Sequence, residues 1–292
     1  MLPKEVAVSV VVPCHNSAAF IERTLSAVLP QVLAYDDAEL VLVDNNSTDG
    51  TLGLLREAAA RHSAPWARVR VLEATDGQGV NVARNFGAAA ARGRWLLFTD
   101  HDDAVCPGWL AAFREALANG AEIVAGPYTE MTSTGEVIAE VDGPELHHWD
   151  LPYGLGANCG ITASGFSRIG GFQPQWVGGG DDADFFWRAH FAGMELVFVP
   201  GARINHYMRD ASAATFSQYV GYGRSAVRLY AQFRHLGMPG TSTGRALLAW
   251  PVALVELALS LVGVGSRRRA IARLGVRAGR LTESWRQRVL YL

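Results

Sequence analysis

The run Arg94-Trp95-Leu96-Leu97-Phe98-Thr99-Asp100-His101-Asp102-Asp103 constrains this chain more than any other stretch. Residues 95–98 are a short apolar segment bounded by polar residues, the pattern of a strand covered on both faces. It leads directly into Asp100, Asp102 and Asp103. Strands of this kind carry polar groups at their carboxyl ends, where ligands of open α/β sheets bind. Clustered carboxylates repel one another at neutral pH unless positive charge sits among them. A hard divalent cation, Mn²⁺ or Mg²⁺, suits such oxygen ligands and bridges to phosphates. The competing reading is a solvated acidic turn ahead of a helix near Pro107, and an isolated Asp-x-Asp does not decide between the two.

The segments ahead of this run alternate in type. Residues 6–12 are a β-branched strand ended by Pro13, and Ser17 is placed to cap a helix reaching about Leu29. A strand over 39–43 meets the turn cluster Asp44-Asn45-Asn46-Ser47-Thr48-Asp49-Gly50, followed by a helix over 51–62. A third strand over 68–73 and the break Gly77-Gln78-Gly79 precede a helix over 80–92. Alternation of this kind predicts βαβ units and a Rossmann-like, mostly parallel sheet flanked by helices. A dinucleotide-binding domain fits poorly, because no Gly-x-Gly-x-x-Gly follows the first strand. Beyond the acidic run the pattern is more mixed: a helix over 109–119, a strand over 122–126, a hairpin about Ser133-Thr134-Gly135, a strand over 156–162 and a helix over 164–169. Gly178-Gly179-Gly180 reads as a mobile hinge into a helix over 182–192; a strand over 196–199 follows, and then a loop carrying His206.

The chain of 292 residues is 49% hydrophobic and 18% charged, enough for one large α/β domain with an appendage. Eight arginines and Glu283 give residues 266–292 a charge of +7, leaving −9 for the rest of a chain that totals −2. An acidic body with a basic tail points to an anionic surface as partner for the tail. Three cysteines without zinc spacing argue against a disulfide scaffold and fit a reducing compartment. The first strand begins almost at once, with no leader pattern, so a cytoplasmic catalytic body is expected.

Val10-Val11-Val12-Pro13, Val41-Leu42-Val43-Asp44-Asn45-Asn46-Ser47-Thr48-Asp49-Gly50-Thr51, Ala83-Arg84-Asn85-x-Gly87 and Phe98-Thr99-Asp100-His101-Asp102-Asp103 occur in the order seen in family 2 glycosyltransferases. Asn158, Ile169-Gly170-Gly171-Phe172 and Gly180-Asp181-Asp182-Ala183-Asp184 extend the match. The sequence therefore resembles that family from about Val6 to His206. The resemblance implies a GT-A fold and inverting transfer from a nucleotide-activated sugar, a UDP- or dTDP-sugar, with Mn²⁺ or Mg²⁺ as cofactor. It assigns the nucleotide-sugar to Pro13, His15, Asn16, Asp44, Asn46, Arg84, Asn85, Asp100 and His101, and the metal to Asp100, Asp102 and His206. It makes Asp182 the general base beside Asp181, where most relatives carry Glu, and it sets Trp176, Gly179 and Gly180 toward the acceptor. Each has a plainer reading as well: Asp44 as a turn residue, Arg84 as part of a solvated helix face, His206 as a surface histidine, Asp181 and Asp182 as helix caps, Trp176 as packing.

These expectations divide the chain into a catalytic domain over 1–210, with a nucleotide half over 1–104 and an acceptor half over 105–210, and a helical appendage over 211–292. Residues 246–264 approach the length of a membrane span but contain Pro251 and Glu256, which disfavour one. After them Ile271, Leu274, Leu281, Trp285 and Val289 interleave with arginines, as in a helix lying in a membrane interface. Packing on the body or in a homo-oligomer would use the same pattern. A peripheral protein on the inner membrane face, acting on a glycan, glycolipid or small-molecule acceptor, is expected; nucleic acid is not, as no reader motif is present. The rival functions are a sugar-phosphate nucleotidyltransferase, which would need a glycine-rich loop where Pro13-Cys14-His15-Asn16 stands, and a non-catalytic sugar-nucleotide or glycan-binding protein.

Overall fold

The computed structural model describes residues 5–62, 68–147, 149–176, 178–208 and 216–292. The chain forms two compact units, residues 1–145, 151–174 and 185–209 in one and 146–150, 175–184 and 210–292 in the other. The domain boundary expected at 210/211 falls within 209–215, outside the described residues.

The first unit is built on β1 (Val8–Cys14), β2 (Ala38–Asp44), β3 (Val69–Glu73) and β4 (Trp95–Thr99), alternating with α1 (Ile21–Leu33), α2 (Thr51–Arg61) and α3 (Val80–Ala90). Every residue of β1, β2 and β4 is buried, as expected of strands covered by helices on both faces. The chain continues through β5 (Ala104–Val105), α4 (Trp109–Ala118), β6 (Ile123–Ala125), β7 (Tyr128–Met131), β8 (Val137–Val141), β9 (Asn158–Thr162) and α5 (Ala163–Ile169). It then runs through α6 (Asp181–Phe191), β10 (Leu196–Phe198) and β11 (Ile204–Tyr207). The main sheet has the order β10-β6-β9-β4-β1-β2-β3, parallel except for β9. In it Cys14 stands opposite Asp44, and Val11 opposite Phe98. This register brings the polar residues after β1, β2 and β4 out at one edge.

A second sheet, β5-β11-β7-β8, was not legible in advance beyond its β7–β8 hairpin. His206 is therefore on a strand and not in the expected loop. Helix α1 begins at Ile21, later than the Ser17 cap implies: the Ser17 carbonyl accepts from the Phe20 and Ile21 N–H groups, while its hydroxyl and N–H both turn to Thr51 Oγ1, at 3.5 and 2.7 Å, and tie Ser17 to α2. It also runs past Leu29 with Pro30 inside it, and the Pro30 carbonyl accepts from the Ala34 N–H. Helix α3 lies very close to the sheet: a Cβ at Gly87 would sit 2.5 Å from Val11 Cγ1 and 2.8 Å from Val43 Cγ2. That approach carries Arg84 down to the sheet's carboxyl edge.

The second unit holds α7 (Phe216–Phe233), α8 (Thr243–Leu261) and α9 (Arg267–Gln287). Helices α7 and α9 meet at glycines, where a Cβ at Gly223 would lie 2.0 Å from the Val276 carbonyl oxygen and one at Gly279 2.2 Å from that of Val220. Beside this contact the buried Glu283 accepts from Arg228 Nε at 2.9 Å. The residues expected to form one interfacial face of α9 do not do so. Val289 lies beyond the helix and is buried, Ile271 and Leu274 are half-buried, and only Leu281 and Trp285 are exposed. Among the described residues no helix is long and apolar enough to cross a membrane.

Candidate active site

The acidic turn after β4 is held from several sides. The Thr24 hydroxyl lies 2.8 and 2.7 Å from the carbonyl oxygens of His101 and Asp103, and Arg23 Nη2 donates to the Asp102 carbonyl at 2.8 Å. Asp103 is fully buried, with both carboxylate oxygens near His206 Nδ1, at 2.9 and 3.0 Å, and one of them accepting from the Tyr207 N–H. Antiparallel pairing of Ala104 with Asn205 sets the two side chains beside each other. Burial works to lower His206, but the hydrogen bond and charge of Asp103, with Asp100 and Asp102 behind them, raise it above the ordinary histidine value. Asp100 accepts from Arg84 Nη2 at 2.9 Å. Burial works to raise its carboxyl, yet Arg84 foremost, and His101 after it, hold it below the ordinary carboxylate range.

These residues supply donors for a divalent cation. A carboxylate on Nδ1 fixes a histidine so that Nε2 is left to a metal, and hard carboxylate oxygens complete such a set. Among the described residues no three histidine, cysteine or acidic side chains already converge as a coordination shell. The chemistry of the turn fits the ion; the shell is not preformed.

A cavity of about 490 Å³ opens at the carboxyl edge, lined by Pro13, His15, Asn16, Asn45, Gly79 and His101 among others. His101 belongs to both the cavity and the acidic turn. Its Nδ1 donates to the Pro13 carbonyl at 2.9 Å, and its Nε2 is buried and without a partner. His15 Nδ1 donates to the Asn45 carbonyl at 2.7 Å. Burial foremost, and then Asp44, push the Cys14 thiol up, so it stays protonated and is no nucleophile.

Asp44 is buried at the end of β2; one carboxylate oxygen accepts from the Ser47 N–H at 3.3 Å and the other has no partner. Asn16 and Asn46 both take positive φ, which Asn tolerates. Asn46 donates to the Gly77 carbonyl, as does its neighbour Asn45, which sequence reasoning passed over. Asn45 also donates to the Ala74 carbonyl and accepts from the Gly79 N–H, clamping the loop before α3. Arg84 is not on a solvated face: it is buried, paired with Asp100 and lying 4.9 Å from the Phe172 ring centroid. Asn85 turns its amide to the backbone of Phe172, donating to the carbonyl at 2.6 Å and accepting from the N–H at 2.9 Å.

In the second unit, Asp181, Asp182 and Asp184 fill the first turn of α6. Gly178, Gly179 and Gly180 have φ of 86°, 104° and 86°, a conformation that side chains disfavour, so a backbone requirement explains the three glycines. Asp184 is buried and accepts from Gln232 at 2.6 Å. Trp176 is buried against Gly180, its indole N–H unpartnered, beside a cavity of about 460 Å³ that Arg228, Gln232 and Gln287 also line.

The glycosyl transferase family 2 model matches residues 9–153. The pre-mycofactocin glycosyltransferase of Mycobacterium tuberculosis is 24% identical over 95% of this chain, which spans little more than half, 57%, of that protein's length. Glycosyltransferase AglE of Haloferax volcanii is 31% identical, over 75% of this chain and 73% of its own length. The chain belongs to glycosyl transferase family 2. Mannosyltransferase PcManGT of Pyrobaculum calidifontis, solved in complex with GDP-Man and Mn²⁺, matches this family 2 chain with a TM-score of 0.65 at 20% identity, covering 96% of this chain and 87% of that one. The sheet order and this likeness give the family 2 chain a GT-A fold.

Proposed function

We propose that this glycosyltransferase moves a sugar from a UDP- or dTDP-sugar to an acceptor hydroxyl with inversion. The observation that carries the reading is His101, which joins the carboxylate turn after β4 to the cavity at the sheet's carboxyl edge. The orphaned oxygen of Asp44 is suited to accept from the base or ribose, and the buried, unpartnered Nε2 of His101 to hydrogen-bond the donor. Arg84 acts through Asp100, keeping it ionised, and Asn45 and Asn85 hold the loops around them.

Asp102, Asp100 and the Nε2 of His206 are the groups that would hold Mn²⁺ or Mg²⁺, whose positive charge would offset the negative charge developing on the diphosphate leaving group. Asp182 takes the proton of the acceptor hydroxyl as its oxygen forms a bond to the anomeric carbon and the bond from that carbon to the diphosphate breaks. Asp181, one methylene shorter than the glutamate usual at its position, orients hydroxyls beside it. The basic C-terminal residues suggest work at the inner face of a membrane on a lipid-linked or cell-envelope glycan, and a small secondary metabolite is the other acceptor class.

The test is release of nucleoside diphosphate from a panel of UDP- and dTDP-sugars, with the anomeric configuration of the product read by NMR. Turnover with inversion is expected. Retention of configuration would overturn the single displacement, and no turnover of any donor would overturn the donor assignment.

A further inference from the structure

Helix α8 is built inside out. Ala253 is fully buried, and Ala249, Glu256 and Ser260, spaced to share its face, are half-buried. Glu256 pairs there with Arg273 of α9. The outward residues Leu248, Val252, Leu254, Val255, Leu259 and Leu261 are between 43% and 73% exposed. A water-soluble helix places its large apolar side chains the other way, and a contiguous exposed apolar face marks an interaction surface.

What that surface meets is indicated by the charge around it. Arg267, Arg268 and Arg269 follow after a five-residue link, all exposed and without a carboxylate partner among the described residues. Between α7, α8 and α9 lies a cavity of about 620 Å³ whose walls include Tyr219, Tyr222, Trp250, Arg273, Arg277 and Arg280. The three arginines recur along one face of α9. Among the described residues Arg277 donates to the Arg273 carbonyl at 3.0 Å, and Arg280 to the Leu292 carbonyl at 3.4 Å while its buried Nε has no partner. Burial, and then the neighbouring guanidiniums of Arg273 and Arg280, hold Arg277 below its ordinary value, a strain that a bound anion relieves. Guanidinium forks match phosphate oxygens in pairs, and aromatic walls suit the apolar stem of an amphiphile.

We propose that this cavity binds the phosphate of an anionic lipid headgroup, held by Arg277 and Arg280 with Arg273, while the outer face of α8 lies among the acyl chains of the bilayer. The proposal rests on the membrane reading given above and relocates it: α8, not α9, is the inserted helix, and α9 supplies the headgroup site. A second copy of the chain as the occupant would not call for three clustered arginines set against the single carboxylate of Glu256 beside the apolar face.

The experiment is flotation of the full chain with vesicles of phosphatidylcholine alone or of an equal mixture of phosphatidylcholine and phosphatidylglycerol. The native chain is expected to float with the mixture. Arg277→Gln with Arg280→Gln should bind it roughly tenfold or more weakly, since each juxtamembrane cation contributes about a fivefold factor even without a pocket. Arg267→Gln with Arg268→Gln, which removes equal charge outside the cavity, should lose less. Melting curves matching the native one show that each variant is folded, and Arg277→Lys provides a gentler variant. Equal losses in the two double variants, or no loss at the cavity, would overturn the headgroup site and leave the membrane reading standing. No flotation of the native chain with either vesicle would overturn both. Inorganic phosphate at millimolar concentration is expected not to displace the chain from vesicles; displacement by it would identify free phosphate as the ligand and overturn the lipid assignment.

Discussion

Nδ1 of His206 lies 2.9 and 3.0 Å from the two carboxylate oxygens of Asp103, a residue 103 positions earlier in the chain. Asp103 is therefore a positioning residue for a metal-binding histidine in this account. Asp103→Asn should weaken Mn²⁺ binding by about 10–100-fold, the usual cost of losing a partner behind a metal-bound histidine. Free Mn²⁺ measured by electron paramagnetic resonance in the presence of nucleotide checks it, and unchanged affinity would remove His206 from the metal set.

Arg84→Met leaves Asp100 charged and partly buried without its guanidinium. The loss should be about 3 kcal/mol, the low end for breaking a buried pair. Asp100 is held below its unfolded value, so its contribution is fully present above about pH 4 and is lost as pH falls through the lower folded value. The stability gap between native protein and variant, measured by urea unfolding, should therefore be widest near neutrality and narrow in acid. A gap independent of pH would contradict the pairing.

Two glycine substitutions should act in opposite directions. Gly87→Ala forces a methyl into Val11 and Val43 and should cost about 1–3 kcal/mol, as overpacking does. Gly53→Ala, in α2 with nothing within 4 Å of the new Cβ, should stabilise by about 0.4–1 kcal/mol. Thermal unfolding of the pair tests how closely α3 approaches the sheet.

Asp182→Asn should reduce sugar transfer by about 10²–10⁴-fold, the range of a lost general base, while nucleotide affinity is kept. Native turnover in this variant would reassign the base.

The parallel half of the main sheet was legible because β1, β2 and β4 are continuous apolar runs ending in polar clusters, and burial on both faces demands such runs. The second sheet was not, since β5 has two residues and β11 four, too few for a period to show. That is also why His206 read as a loop residue and Asp103 as a mere neighbour of Asp102: only the Ala104–Asn205 pairing brings them together. Asp44 and Asp100 stood out through their place after strands, and His101 through the family resemblance. The contacts of Arg84 and Asn85, which the resemblance turned toward the nucleotide-sugar, were not legible, because they are made to Asp100 and to Phe172, remote in sequence. Residues 246–264 read as apolar in bulk, whereas the side of α8 that faces outward is a property of packing alone.

The most direct measurement is calorimetric titration of UDP, dTDP and GDP into the full chain, each with Mn²⁺ and with chelator, repeated for Asp102→Asn. UDP or dTDP is expected to bind with Mn²⁺, chelator to weaken the binding strongly, and Asp102→Asn to behave in Mn²⁺ as the native chain does in chelator. Binding of equal strength with and without Mn²⁺, or binding of GDP alone, would contradict this expectation.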